Sequence, residues 1–129
     1  MFKVLIADDE IHMRYLLGET VKTIEDEDIE ILTVSDGRNA VSHIKKHKPQ
    51  LAFIDVMMPV MDGYQVCSYV KNTPSVKATF IVLLTAKGQE IDRIRGKEAG
   101  ADLYITKPFD PDEIIDITRK LIAKNANAK

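Results

Sequence analysis

The chain has 129 residues, 45% hydrophobic and 29% charged, which is the balance of one ordinary globular domain. The formal net charge of -2 argues against a surface dedicated to nucleic acid, because such a surface needs clustered positive charge. No apolar run approaches the roughly 18 residues of a membrane span, so we expect direct contact with neither nucleic acid nor membrane. The single cysteine, Cys67, cannot form an internal disulfide, which favours a cytoplasmic location.

Five apolar runs follow one another along the chain, separated by segments with helical spacing. The runs cover residues 4–7, 29–34, 51–54, 80–84 and 103–105. They are rich in Val, Ile, Leu and Phe with little polar alternation, which is typical of strands covered on both faces. Strands and helices that alternate five times predict an α/β fold with a parallel sheet and helices on both sides.

The last two helical segments differ in quality. The segment 88–100 is the weaker one, because it has few large apolar residues and contains Gly96 at a cost of about 1 kcal/mol relative to alanine. It is either an exposed helix or a helix kept loose enough to move. The final helix is predicted to begin at Asp110-Pro111, an N-cap followed by proline at the first helical position.

We expect one domain over residues 1–124 and a frayed polar tail over 125–129.

Polar residues stand where successive predicted strands end. Asp8 and Asp9 follow the first run, Asp55 the third, Thr85 the fourth, and Lys107 the fifth. In an open parallel sheet, ligands bind beyond the carboxyl ends of the strands. Three clustered carboxylates repel one another and favour a divalent cation, and a donor set made only of oxygen favours Mg²⁺ over zinc. A lysine beside such a cation suggests an anion that bridges both, and phosphate fits.

Each of these residues also has a plainer interpretation. Asp8, Asp9 and Asp62 could cap helices, Thr85 could simply end a strand, and Lys107 could be a solvated surface charge. The site interpretation is favoured because the strand-end residues share one edge of the sheet, and titratable groups gathered in a cleft mark functional sites.

Four motifs resemble the receiver domain of two-component response regulators, of the chemotaxis-receiver type. They are DDE at residues 8–10, DVMMPVMDG at 55–63, TAK at 85–87 and GADLYITKPF at 100–109. The resemblance covers essentially the whole chain. It implies a flavodoxin-like, doubly wound parallel sheet of five strands in the order 2-1-3-4-5.

The resemblance also implies a role for each site residue. Asp55 would be the phosphoacceptor, a carboxylate nucleophile that forms an acyl phosphate. Mg²⁺, for which Mn²⁺ can substitute, would be bound directly by Asp9 and Asp55, mostly through water by Asp8, and by the main-chain carbonyl of Met57. The phosphoryl oxygens would be bound by the Thr85 hydroxyl, the Ala86 amide and the Lys107 ammonium group.

Signalling would follow from a switch next to the site. The resemblance pairs Thr85 with the aromatic ring of Tyr104, and implies a cis peptide bond at Pro108 that aims Lys107 into the site. The implied donor is a sensor histidine kinase or a histidine phosphotransfer protein. The implied target is a downstream effector or a covalently linked output domain, read through the face of the fourth helix, fifth strand and fifth helix. Homodimerisation on phosphorylation is left open.

Such a domain is not an enzyme in the usual sense, since it catalyses only its own phosphoryl transfer and its own slow dephosphorylation. A flavin-binding module of the same fold needs a Ser/Thr-rich loop after the first strand, where this chain has acids. An aspartate-nucleophile phosphatase carries its nucleophile on the first strand, with a second acid two residues later. In this chain Met57 stands two residues after Asp55, and Glu10, two residues after Asp8, is not followed by a threonine in the phosphatase pattern. A receiver-like module that signals without phosphorylation remains open, although such modules usually lack one of Asp9, Asp55, Thr85 or Lys107.

Overall fold

The computed structural model describes residues 1–85 and 90–127, with the backbone only at residues 90–93 and 127. Within this part of the chain, five strands alternate with five helices. The strands are β1 Phe2–Ala7, β2 Ile29–Val34, β3 Leu51–Asp55, β4 Phe80–Thr85 and β5 Leu103–Thr106. The helices are α1 Ile11–Lys22, α2 Gly37–His47, α3 Gly63–Lys71, α4 Glu90–Ala99 and α5 Pro111–Asn127.

The strands form one parallel sheet in the order β2-β1-β3-β4-β5. The predicted fold class and strand order are therefore confirmed. The central strand β3 is buried along its whole length, which explains why its sequence is a continuous apolar run rather than an alternating one. Because all strands are parallel, their carboxyl ends lie along one edge of the sheet, where Asp55 ends β3 and Thr85 ends β4.

Two apolar layers cover the two faces of the sheet. On one face Ala40 and Ile44 of α2 pack with Val66 of α3 in a single buried cluster. On the other face Leu17 of α1 and Ile114 of α5 belong to a second cluster. Full burial of each large aliphatic side chain contributes about 1.5–3 kcal/mol, so the two layers hold the strand ends firmly in register.

The last two helices differ from their predicted limits. Residues 86–89, in or just before the predicted weak helix, lie outside the described residues, and α4 begins at Glu90. A β-carbon at Gly96 would lie 3.3 Å from Leu83 Cδ1 and 3.5 Å from Tyr104 Cδ1, so the glycine lets α4 approach the sheet closely. Helix α5 begins at Pro111 and continues through Asn127, so it includes three residues of the predicted tail.

None of the helices in the described part of the chain is long and apolar enough to cross a membrane.

Candidate functional site

Asp8, Asp9 and Asp55 come together at the carboxyl edge of the sheet. Strands β1 and β3 are neighbours, with Ala7 paired to Ile54, so the residues that follow them are brought side by side. One carboxylate oxygen from each aspartate lies within 4.8 Å of the others. Asp8 and Asp55 are buried, whereas Asp9 is exposed. The structure therefore brings together the carboxylates that the sequence predicted as metal ligands.

Lys107 reaches the same place from the end of β5. Its Nζ atom lies 3.1 Å from Asp8 Oδ2 and 3.1 Å from Asp55 Oδ1. The Lys107 amide donates to the Thr85 carbonyl oxygen at 2.8 Å, and the Lys107–Pro108 peptide bond is cis. The single ammonium group thus contacts the two buried carboxylates at once.

The charges of this cluster shift one another's proton affinities. Burial raises the pKa of Asp55 to about 6, the negative charge of Asp8 raises it as well, and Lys107 acts in the opposite direction. Burial on its own would lower the pKa of Lys107, but Asp55 and Asp8 together raise it. Near neutral pH the site therefore holds a charged lysine beside a carboxylate that is largely ionised.

Thr85 and Tyr104 point to the same side of the sheet. Thr85 is buried at the end of β4 and pairs with Thr106, while Tyr104 of β5 pairs with Leu83. Alternate residues of neighbouring parallel strands share a face, so the hydroxyl and the ring lie on the side covered by α3 and α4. Tyr104 is half-buried. Ala86, the predicted amide donor to phosphate, lies outside the described residues.

The loop after Asp55 packs tightly against the aspartate. The main chain of Met57 lies close enough to the Asp55 carboxylate to lower its pKa, and the Met57 side chain is 73% exposed. At the far end of the loop, the Gly63 amide donates to the Val56 carbonyl oxygen at 2.8 Å. The main chain of Met57 therefore lies directly beside the acidic cluster, where the sequence predicted a carbonyl ligand.

The structure also separates helix caps from site residues. Asp62 caps α3, with its side chain accepting from the Gln65 amide in a capping box. In contrast, Asp8 accepts from the Glu10 amide at 2.9 Å, and the N-cap of α1 is Glu10, which makes no side-chain cap bond. The plain interpretation as a cap therefore holds for Asp62 and not for Asp8.

Two supporting residues, Arg14 and Gly37, were not predicted from the sequence. Arg14 Nη1 donates to the main-chain oxygen of Asp8 at 2.8 Å, which fixes the turn between β1 and α1. Gly37, the first residue of α2, lies against Met61 in the loop after Asp55. The one available signal in the sequence was Gly37 itself. A glycine in a first helical turn lowers helix stability, which suggests that close packing requires it there.

The chemistry of the cluster fits a hard divalent cation. Its donors are carboxylate oxygens, and within the described residues no histidine or cysteine belongs to the group. Cys67 is buried elsewhere, and burial raises the pKa of its thiol to about 11. The repulsion between Asp8 and Asp55, visible in the raised pKa of Asp55, is what a bound cation would relieve.

Comparisons with known proteins agree with this arrangement. The family model of the response regulator receiver domain matches residues 4–119. The protein named "Probable transcriptional regulator ycf27" of Galdieria sulphuraria is 44% identical over 112 residues, covering 87% of this chain and 42% of that protein. Protein PilG of Pseudomonas aeruginosa is 34% identical over 113 residues, covering 88% of this chain and 82% of that protein.

A solved structure shows the same fold. The chemotaxis response regulator CheY4 of Vibrio cholerae matches with a TM-score of 0.82 at 31% identity, covering 94% of this chain and 98% of that one. The chain spans about half the length of several curated relatives that it matches, from 42% to 50% for three of them.

Proposed function

Because the chain belongs to the response regulator receiver domain family, we propose that it is a signalling switch controlled by phosphorylation of Asp55. The observation that carries the proposal is the contact of Lys107 with both Asp8 and Asp55, 3.1 Å from each. This contact supports the proposal, because it brings the lysine ammonium group and the buried carboxylate of Asp55 into a single cluster at the carboxyl edge of the sheet. Receiver domains are signalling modules, and this one would catalyse only the transfer of a phosphoryl group to itself.

The proposed cation is Mg²⁺, with Mn²⁺ as a substitute. It would be held directly by Asp9 and Asp55, mostly through water by Asp8, and by the main-chain carbonyl of Met57. All of these donors are oxygen atoms, which a hard cation prefers. When bound, it would offset the negative charge that spreads over the phosphoryl oxygens during transfer.

The proposed transfer step uses Asp55 as the nucleophile. A carboxylate oxygen of Asp55 forms a bond to phosphorus while the phosphorus–nitrogen bond of a phosphohistidine breaks, and the leaving imidazole takes up a proton. The donor would be a sensor histidine kinase or a histidine phosphotransfer protein. Lys107 would exchange its bonds to Asp8 and Asp55 for a phosphoryl oxygen, and the Thr85 hydroxyl and Ala86 amide would bind the other oxygens.

The proposed output is a change in the surface formed by α4, β5 and α5. Thr85 would move towards the phosphoryl group, and the ring of Tyr104, on the same side of the sheet, would follow into the vacated space. The reader of that surface would be a downstream effector or a covalently linked output domain, and homodimerisation is a further proposed response. Residues 1–124 would form the receiver domain, and its place would be the cytoplasm.

Intact mass after incubation with Mg²⁺ and acetyl phosphate tests the proposal. We expect one added phosphoryl group on the wild-type chain, and none on Asp55→Asn or in the presence of EDTA. If no mass is added, and no beryllofluoride binds either, the site does not accept a phosphoryl group. The chain would then be a receiver-like module that signals by binding.

A further inference from the structure

The start of α2 touches the loop after Asp55 with no side chain in between. A β-carbon built at Gly37 would overlap the Met61 carbonyl oxygen and would lie 2.5 Å from Met61 Cβ. The Gly37 amide also donates to the Pro59 carbonyl oxygen at 3.3 Å. With the loop in this position, only glycine can occupy position 37.

The part of the loop that Gly37 touches is strained. The Met61 amide donates to the Pro59 carbonyl oxygen at 2.9 Å, which closes a three-residue turn around Val60. Val60 has a φ of +74°, a conformation that β-branched residues rarely adopt. Its side chain is 70% exposed, so packing of that side chain does little to offset the strain. Contacts of the neighbouring main chain must therefore support the turn.

Both ends of this loop are fixed to the sheet. The Val56 amide donates to the Leu84 carbonyl oxygen at 3.0 Å, and the Gly63 amide donates to the Val56 carbonyl oxygen. A β-carbon at Gly63 would lie 2.6 Å from the Asp55 carbonyl oxygen, so α3 starts directly on the strand that carries Asp55. Both ends of the loop are held in this way, and its middle, Pro59 and Met61, packs against Gly37.

We propose that Gly37 is a positioning residue for the metal-binding side of this loop, an inference that rests on the proposed function. Met57, whose carbonyl is the proposed ligand, is only two residues before Pro59. A methyl group at position 37 would push Pro59 and Met61 outward while β3 keeps Asp55 in place. The carbonyl of Met57 and the carboxylate of Asp55 would then no longer be held in a fixed relation.

Calorimetric titration of the full chain with Mg²⁺ tests this inference. Loss of an outer-shell support typically weakens metal binding by roughly 10–100-fold, and we expect Gly37→Ala to weaken Mg²⁺ binding by at least the lower of these factors. Gly18→Ala is the matched control, because it adds the same methyl group to a helix at a position where a β-carbon meets nothing within 4 Å. We expect unchanged Mg²⁺ affinity in Gly18→Ala.

Ile44→Val serves as the control for general loss of stability. Ile44 is fully buried in α2, so the substitution weakens the core on the same helix without adding an atom where Gly37 meets the loop. We expect it to leave Mg²⁺ affinity unchanged. Amide hydrogen exchange in the absence of Mg²⁺ gives a readout that does not depend on the metal. The Met61 amide, which closes the turn at Val60, should exchange faster in Gly37→Ala than in Ile44→Val when the two are compared at equal stability.

If Gly37→Ala does not fold, the titration is repeated in the Gly18→Ala background, where the better helix former raises stability. Failure of that double variant to fold would overturn the inference, because Gly37 would then be a requirement of the fold. Wild-type affinity in Gly37→Ala, or equal weakening in Gly37→Ala and Ile44→Val, would overturn it as well. Absence of Mg²⁺ binding by the wild-type chain is a separate result, which would remove the proposed function itself.

Discussion

Asp55 holds its carboxylate in a buried position, and this lowers the stability of the folded chain at neutral pH. Burial and the charge of Asp8 raise its pKa from 3.8 to about 6, so the native state binds the proton more tightly than the unfolded state does. The stability that this proton provides is complete below the unfolded pKa and is lost as pH rises through about 6. At neutral pH the folded chain therefore loses part of its stability, because the Asp55 carboxylate is ionised there.

We predict that Asp55→Asn stabilises the chain at neutral pH in the absence of divalent cations. The neutral amide removes the buried charge and its repulsion with Asp8, which corresponds to about 1–3 kcal/mol in the free energy of unfolding. The gain should disappear near the unfolded pKa of 3.8, because Asp55 is then protonated in the native state. Urea unfolding in EDTA at the two pH values measures this. An equal gain at both would assign the effect to packing rather than to charge.

The exposed side chain of Met57 lies two residues after Asp55, the proposed phosphoacceptor, and offers no polar group to orient an attacking water. We therefore predict that Met57→Asn loses its phosphoryl group faster than the wild-type chain does. Decay of the phosphorylated mass after removal of the donor measures the two rates. Val60→Asn places the same amide further along the loop and should keep the wild-type rate. Faster loss from the wild-type chain than from Met57→Asn would contradict this account.

At the scale of elements, Lys71 ties three segments together. Its Nζ atom lies 2.7 Å from the Thr79 carbonyl oxygen and 2.7 Å from Asp102 Oδ2, and Asp102 Oδ2 also accepts from the Ile81 amide at 2.8 Å. These bonds join the end of α3, the start of β4 and the connection that precedes β5. Because Lys71 and Asp102 are partly shielded from water, the bonds are stronger than those of an exposed ion pair.

We predict that Lys71→Met lowers the free energy of unfolding by about 1–3 kcal/mol, since it leaves the acceptors without their charged donor. Lys120→Met is the control, because Lys120 pairs with Asp116 on the exposed surface of α5, where ion pairs contribute roughly 0–1 kcal/mol. Urea unfolding of the two variants measures the difference. Equal losses would show that the bonds of Lys71 contribute no more to the free energy of unfolding than an exposed ion pair does.

Several elements could be predicted because their signals are local. The apolar run 51–54 is covered on both faces and reads as a strand, and Asp110-Pro111 marks the start of α5. Because parallel strands end along one edge of a sheet, the sequence also predicted that Asp55 and Lys107 lie at the same edge. The positive φ of Val60 and its contact with Gly37 could not be predicted, because they depend on where two distant main chains meet. The contact of Lys107 with two carboxylates at once depends likewise on packing.

At the scale of the whole molecule, the sheet presents charged groups along the edge formed by the carboxyl ends of its strands. The central strands are fixed by two apolar layers, while the site residues lie at or just beyond the strand ends. This division explains how an acidic cluster that opposes folding can be kept in a stable chain. It also predicts that a ligand of the cluster should stabilise the entire fold.

We predict that Mg²⁺ raises the free energy of unfolding of the wild-type chain. A ligand that binds only the native state contributes about 2.7 kcal/mol at a concentration near 100 times its dissociation constant. Asp9→Asn removes one of the proposed ligands from the exposed side of the cluster and should lose most of this gain. Urea unfolding with and without Mg²⁺ measures both. A gain that is the same in Asp9→Asn would place the cation elsewhere on the chain.

The most direct test of the account is to identify the phosphorylated residue. The chain is treated with acetyl phosphate and Mg²⁺, the acyl phosphate is reduced with borohydride, and the peptides are sequenced by mass spectrometry. The account predicts reduction of Asp55 to homoserine, with Asp8 and Asp9 unchanged. Reduction at Asp8 or Asp9, or at no aspartate of the cluster, would contradict the assignment of Asp55 as the phosphoacceptor.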